Sequence, residues 1–224
     1  MAGAAAAIRL WDWPVRLVHL CFILLVPLLW WTQEEGHMEW HQRAGLALLG
    51  LVLFRLLWGL FGSETARFAS FLARPARVLA YLRGAAWSGI GHNPLGGWSV
   101  LALLLMLLVQ AGLGLFASDT DGLDYGPLNH LVSYRTAKTL TELHELGFNV
   151  LLALVALHVT TIILYFVWKG EDLVQPMISG RKPLAALPPS AAAPAFAPPA
   201  RALLLLGLSF GLVGWISRGL PLPG

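Results

Sequence analysis

The chain has 224 residues and a formal net charge of +3; 57% of the residues are hydrophobic and only 12% are charged. A soluble domain is about half apolar and about a quarter charged, so this composition cannot cover a water-facing surface and argues against an ordinary soluble enzyme. Membrane residence is the first expectation, with lipid as a partner and no nucleic acid. Cys21 is the single cysteine, which leaves no disulfide framework and no C-x-x-C-H motif for covalent attachment of a cofactor.

In chain order, the first apolar run covers residues 15–31, between Arg9 and Arg16 on one side and "LLWWTQEEGH" on the other. Bulky aromatics stand where a leader would need small residues for cleavage, so the run reads as a span. Further runs at 46–61, 98–116, 150–168 and 202–216 approach or reach the roughly 20 residues that cross a bilayer as a helix. The fold class is therefore an all-α integral membrane protein: a four-helix transmembrane bundle plus a fifth C-terminal helix. Between the second and third spans, "SETARFASFLARPARVLAYLRGAAWSGIGHNPLGG" is basic and amphipathic, with Phe68, Phe71 and Leu72 set among arginines. It reads as a segment lying on the membrane surface. Its end, "HNPLGG", offers Asn93 as a helix cap and Pro94 for the first turn. Residues 183–201 are a Pro/Ala-rich linker, which divides a bundle at 1–182 from an extra helix and tail at 202–224.

Charge sets the expected orientation. With the N-terminus inside, the inner segments hold Arg9, Arg16, Arg67, Arg74, Arg77, Arg83, Lys169, Arg181, Lys182 and Arg201. The outer segments hold Arg43, Arg135, Lys138 and Arg218, and the acidic residues Glu34, Glu35, Glu39, Asp119, Asp121 and Asp124 fall outside. This is the positive-inside pattern, with Trp30, Trp31, Trp40, Trp98 and Trp168 near span ends as interfacial anchors.

Four of the seven histidines, His19, His41, His144 and His158, lie in or at the ends of spans. An ionisable group in a span marks a functional site, because an unpaired one in hydrocarbon is costly. The interval from His144 to His158 rises about 21 Å and turns about 1400°, some 40° short of four full turns. The two imidazoles thus share one helix face at two depths. Depth pairs His41 with His144 at the outer level and His19 with His158 at the inner level. Two imidazoles per level are too few for zinc, which takes about four ligands. Haem brings its own equatorial nitrogens and asks the protein for one or two axial ligands. Gly45, Gly50, Gly112 and Gly114 offer room for a flat ring, or ordinary small-residue helix packing. A proton relay is disfavoured, because no carboxylate falls in the middle of a span.

The segments "WDWPVRLVHL", "WHQRAGLALLGLVLFRLLWG" and "LHELGFNVLLALVALH", together with "GHNPLGG", resemble the prokaryotic cytochrome b561 family, the di-haem four-helix group that includes hydrogenase-type b cytochromes. The resemblance covers residues 10–182 and leaves the fifth helix outside the minimal pattern. It implies two bis-histidine haem b groups, with His19/His158 as the inner pair and His41/His144 as the outer pair. Anionic haem edges need cationic or hydrogen-bonding partners, and Arg16, Arg43, His92 and Arg55 are the candidates. Lipid phosphate, loop carbonyls or snorkelling towards water are their ordinary alternatives. Glu142 and Glu145 flank His144 and read as solvated groups; His37 and His130 read as surface residues. Gln110 is a candidate for a quinone contact or, more simply, a bond to another helix.

A doubly ligated iron has no open position, so the expected function is electron transfer rather than bond chemistry. The expectation is a di-haem b-type cytochrome linking the quinone pool, ubiquinone or menaquinone, to a periplasmic redox partner. That partner is a c-type cytochrome or a dehydrogenase subunit, in the bacterial inner membrane. The alternatives are a superoxide:ubiquinone oxidoreductase and the membrane-anchor cytochrome b subunit of a hydrogenase-like dehydrogenase.

Overall fold

A computed structural model describes residues 7–87, 89–118, 124–184 and 192–220. Asp119 and Asp121, part of the expected acidic outer face, lie outside the described residues, as does 185–191 of the linker. Five helices are long and apolar enough to cross a membrane: α1 (Trp13–Glu34), α2 (Met38–Phe61), α5 (Pro94–Gly114), α6 (Tyr134–Lys169) and α8 (Pro199–Ile216). Each contains or largely covers one of the five apolar runs.

A side-chain cap starts three of these helices. Asp12 caps α1 by accepting from Val15 N–H at 3.0 Å, with Pro14 in the first turn. Asn93 caps α5 in the same way through Gly96 N–H at 2.7 Å, as "HNPLGG" predicts. Ser133 caps α6, which runs 36 residues and ends on Gly170 in the left-handed region at φ 62°. It begins sixteen residues before the apolar run at 150–168, because its first turns carry good helix formers and neither Gly nor Pro until Gly147. The helix is about 54 Å long, well beyond the roughly 30 Å hydrocarbon core.

The basic surface segment is three pieces rather than one: a 3-10 turn at Glu64–Ala66, α3 (Phe68–Phe71) and α4 (Pro75–Leu82). Pro75 breaks it, since the residue before a proline is driven out of the helical region, and Arg74 sits extended at ψ 148°. A short helix α7 (Val174–Ser179) follows α6. Beyond it, strand β2 (Arg181–Pro183) pairs antiparallel with β1 (Ala7–Arg9), Ile8 opposite Lys182. No apolar alternation marks either three-residue strand, so the sequence reading contains neither.

Successive spans alternate direction, which gathers the starts of α1, α5 and α8 and the ends of α2 and α6 at one end. That basic end carries Arg9, Arg16, Arg67, Arg74, Arg77, Arg83, Arg181 and Arg201. The opposite, acidic end carries Glu34, Glu35, Glu39 and Asp124.

Helix α2 is the hub. It packs against α1, α5 and α8, while α6 packs on α5. Half of the apolar window of α2 is buried, against 6% for α6. The fifth helix joins this core: Ala202 and Leu205 cluster with Val15, Val18, Phe54, Trp58 and Ala66. A Cβ on Gly50 would lie 2.9 Å from the Phe210 ring, so Gly50 makes room for α8, not for a cofactor. The linker end is fastened beside it: Glu64 Oε2 accepts from Ala195 N–H at 2.9 Å, and Arg201 donates to the Phe61 carbonyl at 3.0 Å.

Gly50→Val should therefore overpack the α2–α8 contact and lower stability by about 1–3 kcal/mol. Adding Phe210→Ala should recover most of the loss, as read by thermal unfolding in detergent.

Candidate cofactor-binding site

At the acidic end, α2 and α6 present His41 and His144 to one another. Their ring centroids are 6.3 Å apart and the planes are inclined at 80°. Nδ1 of His41 bonds the Leu29 carbonyl of α1 at 2.9 Å, and Nδ1 of His144 bonds the Gln110 carbonyl of α5 at 2.9 Å. A carbonyl oxygen only accepts, so both Nδ1 atoms carry the proton and both Nε2 atoms keep a bare lone pair. That tautomer is the one that ligates a metal through Nε2. An imidazole nitrogen binds a metal at about 2 Å and the ring centre lies about 1 Å behind it, so two rings on one metal stand about 6 Å apart. The observed separation fits that span. Among the described residues no group of three or more His, Cys, Asp or Glu converges to hold a bare ion. The donor set thus suits a group that brings most of its own ligands.

The surrounding glycines divide by role. A Cβ on Gly114 would lie 3.1 Å from Cε1 of His144, so this glycine seats the imidazole. A Cβ on Gly112 would meet nothing within 4 Å, and one on Gly45 only Leu29 Cδ2 at 3.9 Å. These two leave space on the α5 and α2 surfaces. Gln110 is buried and donates through Nε2 to the His144 carbonyl at 2.8 Å, which is the helix-to-helix bond among its two expected roles. Arg43 stands apart from the pair. Two residues along a helix point about 200° apart, and Arg43 is exposed, paired with Glu39 at 2.5 Å and stacked on Trp40. Glu142, Glu145, His37 and His130 are all exposed.

At the basic end, His19 of α1 and His158 of α6 lie within electrostatic reach of one another, both part-buried. His92 completes this level. It is half-buried between the rings of Trp11 (4.6 Å) and Phe71 (4.8 Å), close to both His19 and His158, and its Nδ1 is buried with no partner. Burial, reinforced by the nearby Arg55 guanidinium, pushes this imidazole down to about 3, so it is neutral at any physiological pH.

Arg16 is three residues from His19, yet its guanidinium donates to the Met177 carbonyl at 3.1 Å and to the Ile178 carbonyl. The terminal carbonyls of α7 are a ready partner for a cation. Arg55 is only 5% exposed, donates to the Ala66 carbonyl at 3.3 Å, and interacts with Asp12. Asp12 was not singled out in the sequence, although "WDWP" is a capping signature. Its second carboxylate oxygen accepts from the Trp58 indole N–H at 2.8 Å, joining the start of α1 to the end of α2. Tyr81 and Tyr165 also escaped sequence reasoning, which gave Asn93 only a capping role and Lys169 only a place among the inner charges. Tyr165 OH accepts from Asn93 Nδ2 at 2.7 Å, Lys169 Nζ donates to Tyr81 OH at 3.2 Å, and the two hydroxyls bond each other. Phenols and amides in separate helices leave no local sequence signal for such a cluster.

A family model described as prokaryotic cytochrome b561 matches residues 10–180. No curated relative and no solved structure matches the chain.

Removing the Arg55 guanidinium leaves the Ala66 carbonyl without its donor and takes a positive charge from the vicinity of the buried Asp12 carboxylate. Arg55→Met should cost about 1–3 kcal/mol, and Asp12→Asn in the same chain should return part of it in thermal unfolding measurements.

Proposed function

Because the chain belongs to the prokaryotic cytochrome b561 family, and is therefore a membrane b-type cytochrome of electron transfer, we propose that it holds two haem b groups at separate levels. His41 and His144 would hold one at the acidic end, and His19 and His158 the other at the basic end. The observation that carries this reading is the acidic-end pair: two imidazoles on different helices, each fixed in the Nε2-ligating tautomer, at the separation one shared metal requires.

Bound haem b supplies one-electron chemistry between ferric and ferrous iron. The chain's residues set the conditions for it. Donation from each Nδ1–H to a backbone carbonyl raises the basicity of the opposite nitrogen and locks the ring. A haem held by a histidine from each of two helices would have no position for oxygen or substrate, which favours electron passage over bond chemistry. At the basic end, neutral His92 has an unpaired Nδ1 beside the pair, and Arg55 lies near it; these are the residues suited to a polar or anionic edge of the cofactor. The arginine distribution supports a cytoplasmic N-terminus in a bacterial inner membrane, with the acidic end facing the periplasm. In this arrangement the protein passes electrons between the quinone pool and a periplasmic redox partner. Complementary charge favours a partner with a basic docking face, such as a c-type cytochrome.

Reduced-minus-oxidised spectra of the purified protein should show b-type bands at two haems per chain. His41→Ala or His144→Ala should remove one haem and spare the other, and His19→Ala or His158→Ala should do the converse. Absence of b-type bands, or loss of both haems from every single substitution, would overturn the two-level reading. In proteoliposomes, a short-chain quinol should reduce the wild-type protein.

A further inference from the structure

Gln110 and His144 are joined twice, in opposite directions. The Gln110 carbonyl accepts from the imidazole Nδ1 at 2.9 Å, while the Gln110 amide Nε2 donates to the His144 carbonyl at 2.8 Å. The first bond orients the ring. The second sets the register of the two main chains on which the first depends. The other end of the same amide, Oε1, is buried with no hydrogen-bond partner. An unpaired buried acceptor carries a desolvation penalty, so Gln110 is retained at a cost that an apolar residue filling the same space would avoid.

The neighbouring glycines fit the same arrangement. A Cβ on Gly147, one turn from His144, would come within 2.5 Å of Gln110 Oε1 and 3.1 Å of Met106 Cε. A Cβ on Gly114 would press on the imidazole. Across the site, His41 takes its orientation from Leu29 of a different helix. The 80° between the two ring planes is therefore set by two separate helix pairs, α1–α2 and α5–α6.

We propose that Gln110 is a positioning residue: through the clamp on His144, with Gly147 providing its space, it holds the acidic-end imidazole nearly perpendicular to that of His41. This rests on the reading of His41 and His144 as axial ligands. Crossed axial imidazoles leave two iron d orbitals nearly degenerate, so a low-spin ferric haem held this way has a strongly anisotropic electron paramagnetic resonance signal. Its largest g value lies above that of a haem with parallel rings.

The test uses the full-length haem-loaded protein in detergent, with haem content measured first. Wild type without b-type haem would defeat the ligation reading itself, a result distinct from any below. In loaded wild type, a strongly anisotropic ferric signal should be present and should vanish in His41→Ala. Gln110→Leu, which keeps bulk but removes the amide, should lower or broaden the largest g value of that signal and shift the potential of that haem. The signal of the basic-end haem should stay unchanged. Gly147→Ala should act in the same direction by displacing the amide, and serves if Gln110→Leu does not accumulate. A merely structural bond would lower thermal stability and leave the g values alone. Either variant with full haem content and wild-type g values overturns the proposal, as does a wild type lacking the anisotropic signal.

Discussion

A polar nitrogen inside an apolar bundle has to find its hydrogen-bond partner within the protein, because lipid offers none. For the acidic-end histidines that partner is main chain. The Leu29 carbonyl lies near the end of α1 and the Gln110 carbonyl near the end of α5, so both helices turn the negative end of their dipoles toward this level. The consequence is chemical as well as structural. A backbone carbonyl cannot donate, so the imidazole tautomer is decided by the fold, and both bare nitrogens are left for a ligand. Small residues at Gly114 and Gly147 are what allow α5 and α6 close enough for the bond from His144 to Gln110.

The opposite end is organised around charge taken out of water. Asp12 serves the first turn of α1 and the indole of Trp58 together, which binds α1 to α2, and the buried Arg55 guanidinium adds a favourable charge nearby. His92 lies beside this network as a neutral ring with its Nδ1 buried. The strand pair β1–β2 and the bonds from Arg16 to α7 then draw the two ends of the four-helix segment together over the basic face. The fifth helix adds a second layer of restraint on α2 by seating Phe210 against Gly50. The hub helix is thus held on three sides, while α6, with its two site histidines, packs chiefly on α5.

Much of this architecture was legible from the chain. Apolar runs declare spans because hydrocarbon thickness sets their length, and Asn93–Pro94 announces the start of α5 because capping is a local interaction. The His144–His158 interval could be read as one face at two depths because helix geometry is regular. Other features were closed to that reasoning. Gly50 looked like space for a ring and proved to be space for Phe210, since a glycine records that something approaches without saying what. Arg16 looked suited to the level of His19 by its spacing, and the carbonyls of α7 claimed it from far along the chain.

By itself, then, the sequence determined which segments enter the membrane, which end collects the arginines, and which four histidines lie at two depths; these follow from composition and helical period. Only the tertiary structure decided what each imidazole bonds, that His41 and His144 stand crossed at 6.3 Å, that Gln110 clamps one of them, and that the last helix belongs to the α2 core. Those outcomes depend on contacts between helices far apart in the chain, where packing and the need to pair buried polar atoms choose among partners that local pattern leaves equal.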